Sequence, residues 1–522
     1  MKSKTRLFVL VAVVVTCFAY ILWPNTSLQN FLFNDVSSSA QLSFEPEKLE
    51  RNCMAYFNAL ESKTSSRATT SRYLLSHQIS NHIAHLRVFC ECYVQNANEV
   101  PASISYEEIQ PMFSGLLPVM KGKHPASEVK LPSRSYWRNY LDALSGKGIV
   151  IGIHDKEVDY ATRLLRVLNH LGNELPIQFV HEGDLLPESV FTLLEAAKLT
   201  EGSISQNIDF ISIRPAITAG YQSIFKGYNN KWFAALFTTF EEIILMDADA
   251  VPFVKPSSFF ELEGYKKTGA YFFRDRELSE ALKQDQVDFF LGMIPADGSV
   301  FEYKIDPAQL QNNFFKYNSK HVMESGVVVM NRLSHMLGLL VSLSLQYWFQ
   351  SGRIMYGDKD LFWLGQLISG NSNYYFNEYA AAAIGELEGE LDLCSAQLGH
   401  LSKDKKLLWT NGTLLKCKKN TWLADFFKYP ALRQKCGNSM AKMKEAYSSA
   451  ITISECILPA SIPEINGLNK RKVTGNFNKN YNRGCGGIYY CATSKDGGEV
   501  VRFTEEEKKH YNKIVSIWNS SI

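Results

Sequence analysis

The run Glu241-Glu242-Ile243-Ile244-Leu245-Met246-Asp247-Ala248-Asp249-Ala250-Val251-Pro252-Phe253 limits most tightly what this chain can become. An apolar stretch of strand length ends in two aspartates one residue apart, and Val251-Pro252 is expected to stop the strand just beyond them. Strand side chains alternate faces, so at a fraying strand end Asp247 and Asp249 can turn toward one point in solvent. That pairing suits a hard divalent cation, Mg²⁺ or Mn²⁺, which takes carboxylate oxygens and keeps positions open for phosphate oxygens. The spacing alone is a weak signal. Asp358-Lys359-Asp360 repeats it, and a solvated loop with two acids satisfies it equally. Context strengthens it: Trp232, Phe233, Leu236, Phe237 and Phe240 form a helical pattern that runs directly into the apolar strand. An α/β nucleotide-binding half delivers a site to the carboxyl end of a strand in this way.

Upstream the same alternation repeats. Gly148 to His154 is an apolar strand, followed by a helix with Ala161, Leu164, Leu165, Leu168 and Leu171 on one face and Gly172 at its end. Pro176–His181 and Ile208–Ile213 are further strands, as are Gly269–Phe273 and Gly326–Met330 beyond the aspartates, and Leu333–Phe349 is a long apolar helix. The pattern predicts an α/β fold, a mostly parallel sheet with helices on both faces. No G-x-G-x-x-G and no Walker lysine loop is present, which disfavours a dinucleotide oxidoreductase or a P-loop NTPase.

With 55 basic and 53 acidic residues, a net charge of +2 and no basic run, the chain carries no signature of nucleic-acid binding. Three cations in residues 1–6 precede the uncharged apolar run Leu7–Trp23. This predicts a cytosolic tail, a transmembrane signal anchor over 7–23 and a lumenal remainder. A cleaved signal peptide is the rival reading, but no small-x-small site follows the run. Residues 24–50 are rich in Ser, Asn and Gln, as a stem would be, and 51–145 read as a helical subdomain and connection, with Leu74, Leu75, Ile79, Ile83 and Leu86 at helical intervals. The nine cysteines outside the span, Cys53, Cys90, Cys92, Cys394, Cys417, Cys436, Cys456, Cys485 and Cys491, form no C-x-x-C pair and predict a disulfide framework. Six lie in the last quarter, enough for up to three bridges there. Sequons at Asn411 and Asn519 agree with a secretory route.

Four blocks in order carry a family resemblance: Lys231-Trp232-Phe233-Ala234-Ala235-Leu236, the Ile243–Phe253 run, Glu324-Ser325-Gly326-Val327-Val328-Val329, and Gly357-Asp358-Lys359-Asp360-Leu361-Phe362-Trp363-Leu364-Gly365. Together they resemble the fungal α-1,3-mannosyltransferase family, over residues 146–415. The resemblance implies a GT-A-like nucleotide-sugar-binding fold with an N-terminal helical subdomain and a disulfide-rich C-terminal part, 416–522, packed on the catalytic domain. It further implies GDP-mannose as donor, Mn²⁺ held through Asp247 and Asp249, and mannosylated glycoprotein acceptors. The setting it implies is a single-pass type II protein of the Golgi membrane, able to form complexes with other mannosyltransferases.

Site roles follow by the same resemblance. His400 is the expected third metal ligand, against the plainer reading of a structural histidine. Lys231, with Asp247, is placed at the donor phosphate; a solvated helix lysine is its alternative. Glu324, before Ser325-Gly326 at the mouth of a strand, is expected near donor mannose or acceptor. Of Asp358 and Asp360, one is expected to cap the helix that follows and the other to serve the acceptor side. Trp363, Tyr374, Tyr375 and Phe376 suit either sugar stacking or the core. Retention of the α configuration makes a dedicated base unnecessary, because a donor phosphate oxygen can take the acceptor proton.

Overall fold

A computed structural model of the chain describes residues 140–198, 205–214, 229–276, 281–295, 305–355, 357–460 and 490–520, with 53, 79–80, 83–84, 86–87, 475–477 and 484–487. The expected cytosolic tail, membrane span and stem, and most of the helical subdomain, lie outside the described residues. Among the described residues no helix is long and apolar enough to cross a membrane.

The main sheet has seven strands in the order β3 (Ile208–Ser212), β2 (Ile177–His181), β1 (Lys147–Gly152), β4 (Glu242–Met246), β7 (Met323–Asn331), β6 (Ala270–Arg274) and β8 (Tyr375–Phe376). β3, β2, β1 and β4 run parallel, β7 runs against both β4 and β6, and β8 is parallel to β6. The apolar runs of β1 and β4 arise because both faces of the sheet are covered. Val150, Ile243, Leu245 and Val328 pack on one face beneath α3 (Asn229–Phe237), α4 (Arg332–Tyr347) and α5 (Leu361–Ser369). Ile149, Ile151, Ile244 and Val327 point to the other, against α1 (Val158–His170), which buries Ala161, Leu164, Leu165 and Leu168. Each such side chain contributes about 1.5–3 kcal/mol by leaving water. α4 and α5 cross at two glycines: a Cβ on Gly365 would lie 1.9 Å from Ser342 Oγ, and one on Gly338 2.1 Å from the Gln366 side chain. Ile79, Ile83 and Leu86 are helical and buried in the same core, and Arg87 donates to the carbonyls of Met293 and Ile368.

A second sheet of six strands covers the α1 face, in the order β16 (Glu499–Arg502), β13 (Glu455–Leu458), β9 (Ala382–Gly385), β11 (Leu398–Leu401), β12 (Leu407–Asn411) and β5 (Ala250–Pro252), all antiparallel. Val251-Pro252 therefore does not end the aspartate strand, as the sequence suggests. β4 stops at Met246, and Val251-Pro252 belongs to β5 at the edge of the second sheet, where proline's missing N–H is tolerated. The stretch beyond residue 415 is woven into this sheet through β13 and β16, and its last helix, α6 (Glu505–Asn519), packs on α1. Cys394–Cys491 joins β10 (Asp392–Ser395) to β15 (Tyr490–Thr493), which β14 (Gly475–Phe477) flanks in a small third sheet. Cys417 pairs with Cys485, Cys53 is also disulfide-bonded, and Cys436 and Cys456 are free. The last quarter thus holds two bridges, within the three that its six cysteines allow.

Candidate active site

Asp247-Ala248-Asp249 is the turn that carries the chain from the first sheet into the second. The Asp247 N–H donates to Gly326 O at 2.9 Å, the Ala250 N–H donates to Asp247 O at 3.0 Å, and the Gly412 N–H donates to Asp249 O at 3.1 Å. Both carboxylates line one cavity of about 580 Å³. The alternation argument thus holds, with the turn rather than a frayed strand end providing it.

Lys231, on α3, reaches under the pair. Its Nζ lies 2.7 Å from Asp247 Oδ1 and 3.1 Å from Asp358 Oδ2, and donates to Ser325 O at 2.6 Å. Burial works against this ammonium, yet Asp247 and Asp358 hold its pKa above the ordinary lysine value. Burial pushes Asp247 up to about 7, opposed by Lys231 and reinforced by the negative charge of Asp358 and Asp249. On the far side, Lys418 Nζ is 3.4 Å from Asp249 Oδ2. Two carboxylates, Asp247 and Asp358, share the buried Lys231 ammonium, and Asp249 faces Lys418, so the aspartates bring carboxylate oxygens to one cavity.

That donor set fits Mg²⁺ or Mn²⁺. Among the described residues no three His, Cys, Asp or Glu side chains converge as a ready cage. Such cations commonly take one or two carboxylates and complete their shell with water and substrate phosphates, so Asp247 and Asp249 suffice. His400 is not among the residues lining the cavity. It is fully buried, stacked on Trp409 with ring centroids 4.0 Å apart and edge-on to Phe273, and neither ring nitrogen has a hydrogen-bond partner. Burial lowers its pKa to about 4. The described residues thus do not bring His400 to the aspartates as the expected third ligand.

Glu324 is the second residue of β7, at the start of the strand as expected, but almost fully buried where β7 lines the cavity. Lys359 Nζ sits 2.6 Å from its Oε2 and 2.9 Å from Asp275 Oδ2, and Asn411 Nδ2 donates to Glu324 Oε1 at 3.1 Å. Despite burial, Lys359 holds the Glu324 pKa below the ordinary carboxylate value. The two acids around Lys359 separate cleanly. Asp358 faces the cavity and Lys231. Asp360 is buried away from it, accepting from the backbone N–H groups of His321, Val322 and Met323 and from Trp363 Nε1. Its side chain makes no cap to the backbone of α5, so it is neither the expected helix cap nor an acceptor-side group. Trp363 and Tyr374 are core, Tyr375 stacks on Tyr271, and none of the four candidate aromatics lines the cavity.

Sequence reasoning missed His154, Glu157, Tyr160, Arg276, Asn411 and Lys418, all of which line the cavity. Glu157 and Tyr160 follow the first strand directly, a position that α/β topology makes informative. Asn411 carried a misleading signal. As a sequon it suggests a surface glycan, but its side chain bonds Glu324 and Lys418 within the site, and Thr413 is buried.

A cavity at the carboxyl end of a central parallel strand, with paired aspartates, a buried lysine and a second sheet closing over it, is the arrangement an α/β fold offers a phosphate-bearing nucleotide substrate. A family profile described as "Mannosyltransferase putative" matches residues 146–402. The α-1,3-mannosyltransferase MNT2 of Saccharomyces cerevisiae is 34% identical across 74% of this chain and 72% of its own length. The α-1,3-mannosyltransferase MNT3 of the same yeast is 29% identical across 82% and 71%. The chain belongs to the fungal α-1,3-mannosyltransferase family and is a mannosyltransferase. Among solved structures, the mannosyltransferase Ktr4p from S. cerevisiae in complex with GDP aligns with 61% of this chain and 83% of its own at 10% identity and TM-score 0.30. The galactosyltransferase LgtC, solved with donor and acceptor sugar analogues, covers 44% and 73% at 13% identity and TM-score 0.30. Those two overlays are too partial to bear on function.

Proposed function

We propose that this enzyme transfers mannose from GDP-mannose to mannose residues of protein-linked N- or O-glycans, forming α-1,3 linkages with retention. Its place is the lumenal side of a Golgi membrane, anchored through residues 7–23. The observation that carries the reading is the joint placement of Asp247 and Asp249 in one oxygen-lined cavity of a chain from this family. A divalent cation held there would supply Lewis-acid stabilisation of the departing diphosphate. Lys231 adds a fixed positive charge beside it, already oriented by Asp358 and Ser325. Glu324, clamped by Lys359 and Asn411, keeps a carboxylate at the sugar end, where developing positive charge on the anomeric carbon is stabilised. The acceptor oxygen attacks on the face the diphosphate leaves, and its proton passes to a donor phosphate oxygen.

The test is transfer from GDP-mannose to short α-mannosides, with linkage analysis of the product. Asp247→Asn and Asp249→Asn should each lower turnover by about 100-fold or more, with the melting temperature retained. Near-normal turnover in either variant would sink the metal assignment. An α-1,2 product, or preference for another nucleotide sugar, would sink the linkage or the donor.

A further inference from the structure

We propose that Glu157 recognises the guanine of the donor nucleotide, with Tyr160 stacking on the base, so that the end of the cavity beyond β1 is the nucleobase pocket. This rests on the GDP-mannose reading above and specifies how that donor lies.

The cavity has two chemically different ends on either side of the aspartates. One is the network of Glu324, Lys359, Arg276 and Asn411, whose charged and amide groups match sugar hydroxyls. The other, at the carboxyl end of β1, is lined by Gly152, His154, Glu157, Tyr160 and Asn230. A nucleoside diphosphate sugar with its phosphates at Asp247 and Asp249 must place its sugar at one end and its base at the other. A flat base needs a ring to lie on, and among the described residues the rings lining the cavity, His154 and Tyr160, both stand at the β1 end.

Glu157 supplies the discrimination. An ionised carboxylate only accepts hydrogen bonds. Guanine presents two adjacent donors, N1–H and the 2-amino group, on its pairing edge, whereas uracil offers a single N–H between two carbonyls and adenine pairs its amino group with a bare ring nitrogen. The Glu157 side chain is oriented by the His154 backbone N–H, which donates to Oε2 at 3.3 Å, and it remains 39% exposed. Two N–H donors from a bound base would replace the water now reaching that exposed carboxylate. Nearby, Asn230 is buried with its Oδ1 lacking any hydrogen-bond partner, an acceptor available to a ribose hydroxyl.

The experiment is a calorimetric titration of the full chain in detergent, with Mn²⁺, against GDP, IDP (which lacks the 2-amino group) and UDP. The wild type should bind GDP about tenfold or more tighter than IDP. Glu157→Ala should bring that ratio to roughly one and Glu157→Gln to an intermediate value, while Tyr160→Leu weakens GDP and IDP alike. A GDP/IDP ratio unchanged in both Glu157 variants, with melting temperatures intact, overturns the assignment while leaving the donor in place. Tighter binding of UDP than GDP by the wild type overturns the donor reading itself.

Discussion

Lys359 is a single cation serving two buried acids, Glu324 and Asp275, and removing it leaves both without their shared partner. Burial opposes ionisation of Asp275, but Arg276 and Lys359 keep its pKa well below the usual carboxylate range. Groups held ionised in this way lose their advantage as pH falls. In Lys359→Met the carboxylates should take up protons at higher pH, so the acid limb of the kcat–pH profile moves upward, with Arg276 the remaining cation beside Glu324 and Asp275 the opposing negative charge. An unmoved acid limb would show that Lys359 acts through packing alone. His400 makes the opposite case. The folded protein keeps its ring neutral down to about pH 4, whereas an unfolded chain protonates it near 6.5, so stability falls as pH drops across that interval. His400→Phe should preserve the stack on Trp409 and flatten the dependence of melting temperature on pH over that window. Asp247 and Asp249 were legible in the sequence because an apolar strand led into them. The ion pairs were not, since Lys231, Asp358 and Ser325 meet only once the sheet has formed.

The turn Asp358-Lys359-Asp360 shows why an element's chemistry can outrun its sequence. Both acids precede a helix, and local rules allow either to cap it. The fold instead uses Asp360 to gather three consecutive backbone N–H groups where the chain enters β7, a choice set by a segment far away in the chain. Asp360→Ala should cost about 3 kcal/mol through donors left buried and unpaired, read as a lowered denaturant midpoint. Asp358→Asn should keep that midpoint and lose turnover. If the two variants behave alike, the division of labour between them is wrong. The strands of the main sheet other than the two-residue β8, and the helices α1, α3 and α4 that pack on it, were readable to within a few residues because their apolar runs are continuous. β5, β9, β11 and β13 are only three or four residues long, and their apolar character comes from facing α1 and the main sheet rather than from any period of their own.

Across the whole molecule, the site is assembled from both sheets and from the disulfide-held segment beyond them. Cys417–Cys485 fixes the residue just before Lys418, whose ammonium stands beside Asp249. Cys485→Ser should lower the melting temperature, since removing a native bridge typically costs about 2–5 kcal/mol, and should also raise the KM for donor. Lys418→Met should reproduce the KM change without the thermal one. A Cys485→Ser enzyme with wild-type KM would mean that the bridge serves stability only. From the sequence the cysteines promised cross-links, but not that one of them would brace the catalytic cavity.

The final helix ties the two ends of the catalytic fold together: His510 contacts the carbonyl of Phe253, Arg163 donates to that of Trp518, and the Leu407 N–H donates to the Tyr511 hydroxyl. Until α6 docks, the apolar slot that buries Trp518 stays open to water. A chain truncated before α6 should then yield insoluble product rather than a shortened active enzyme.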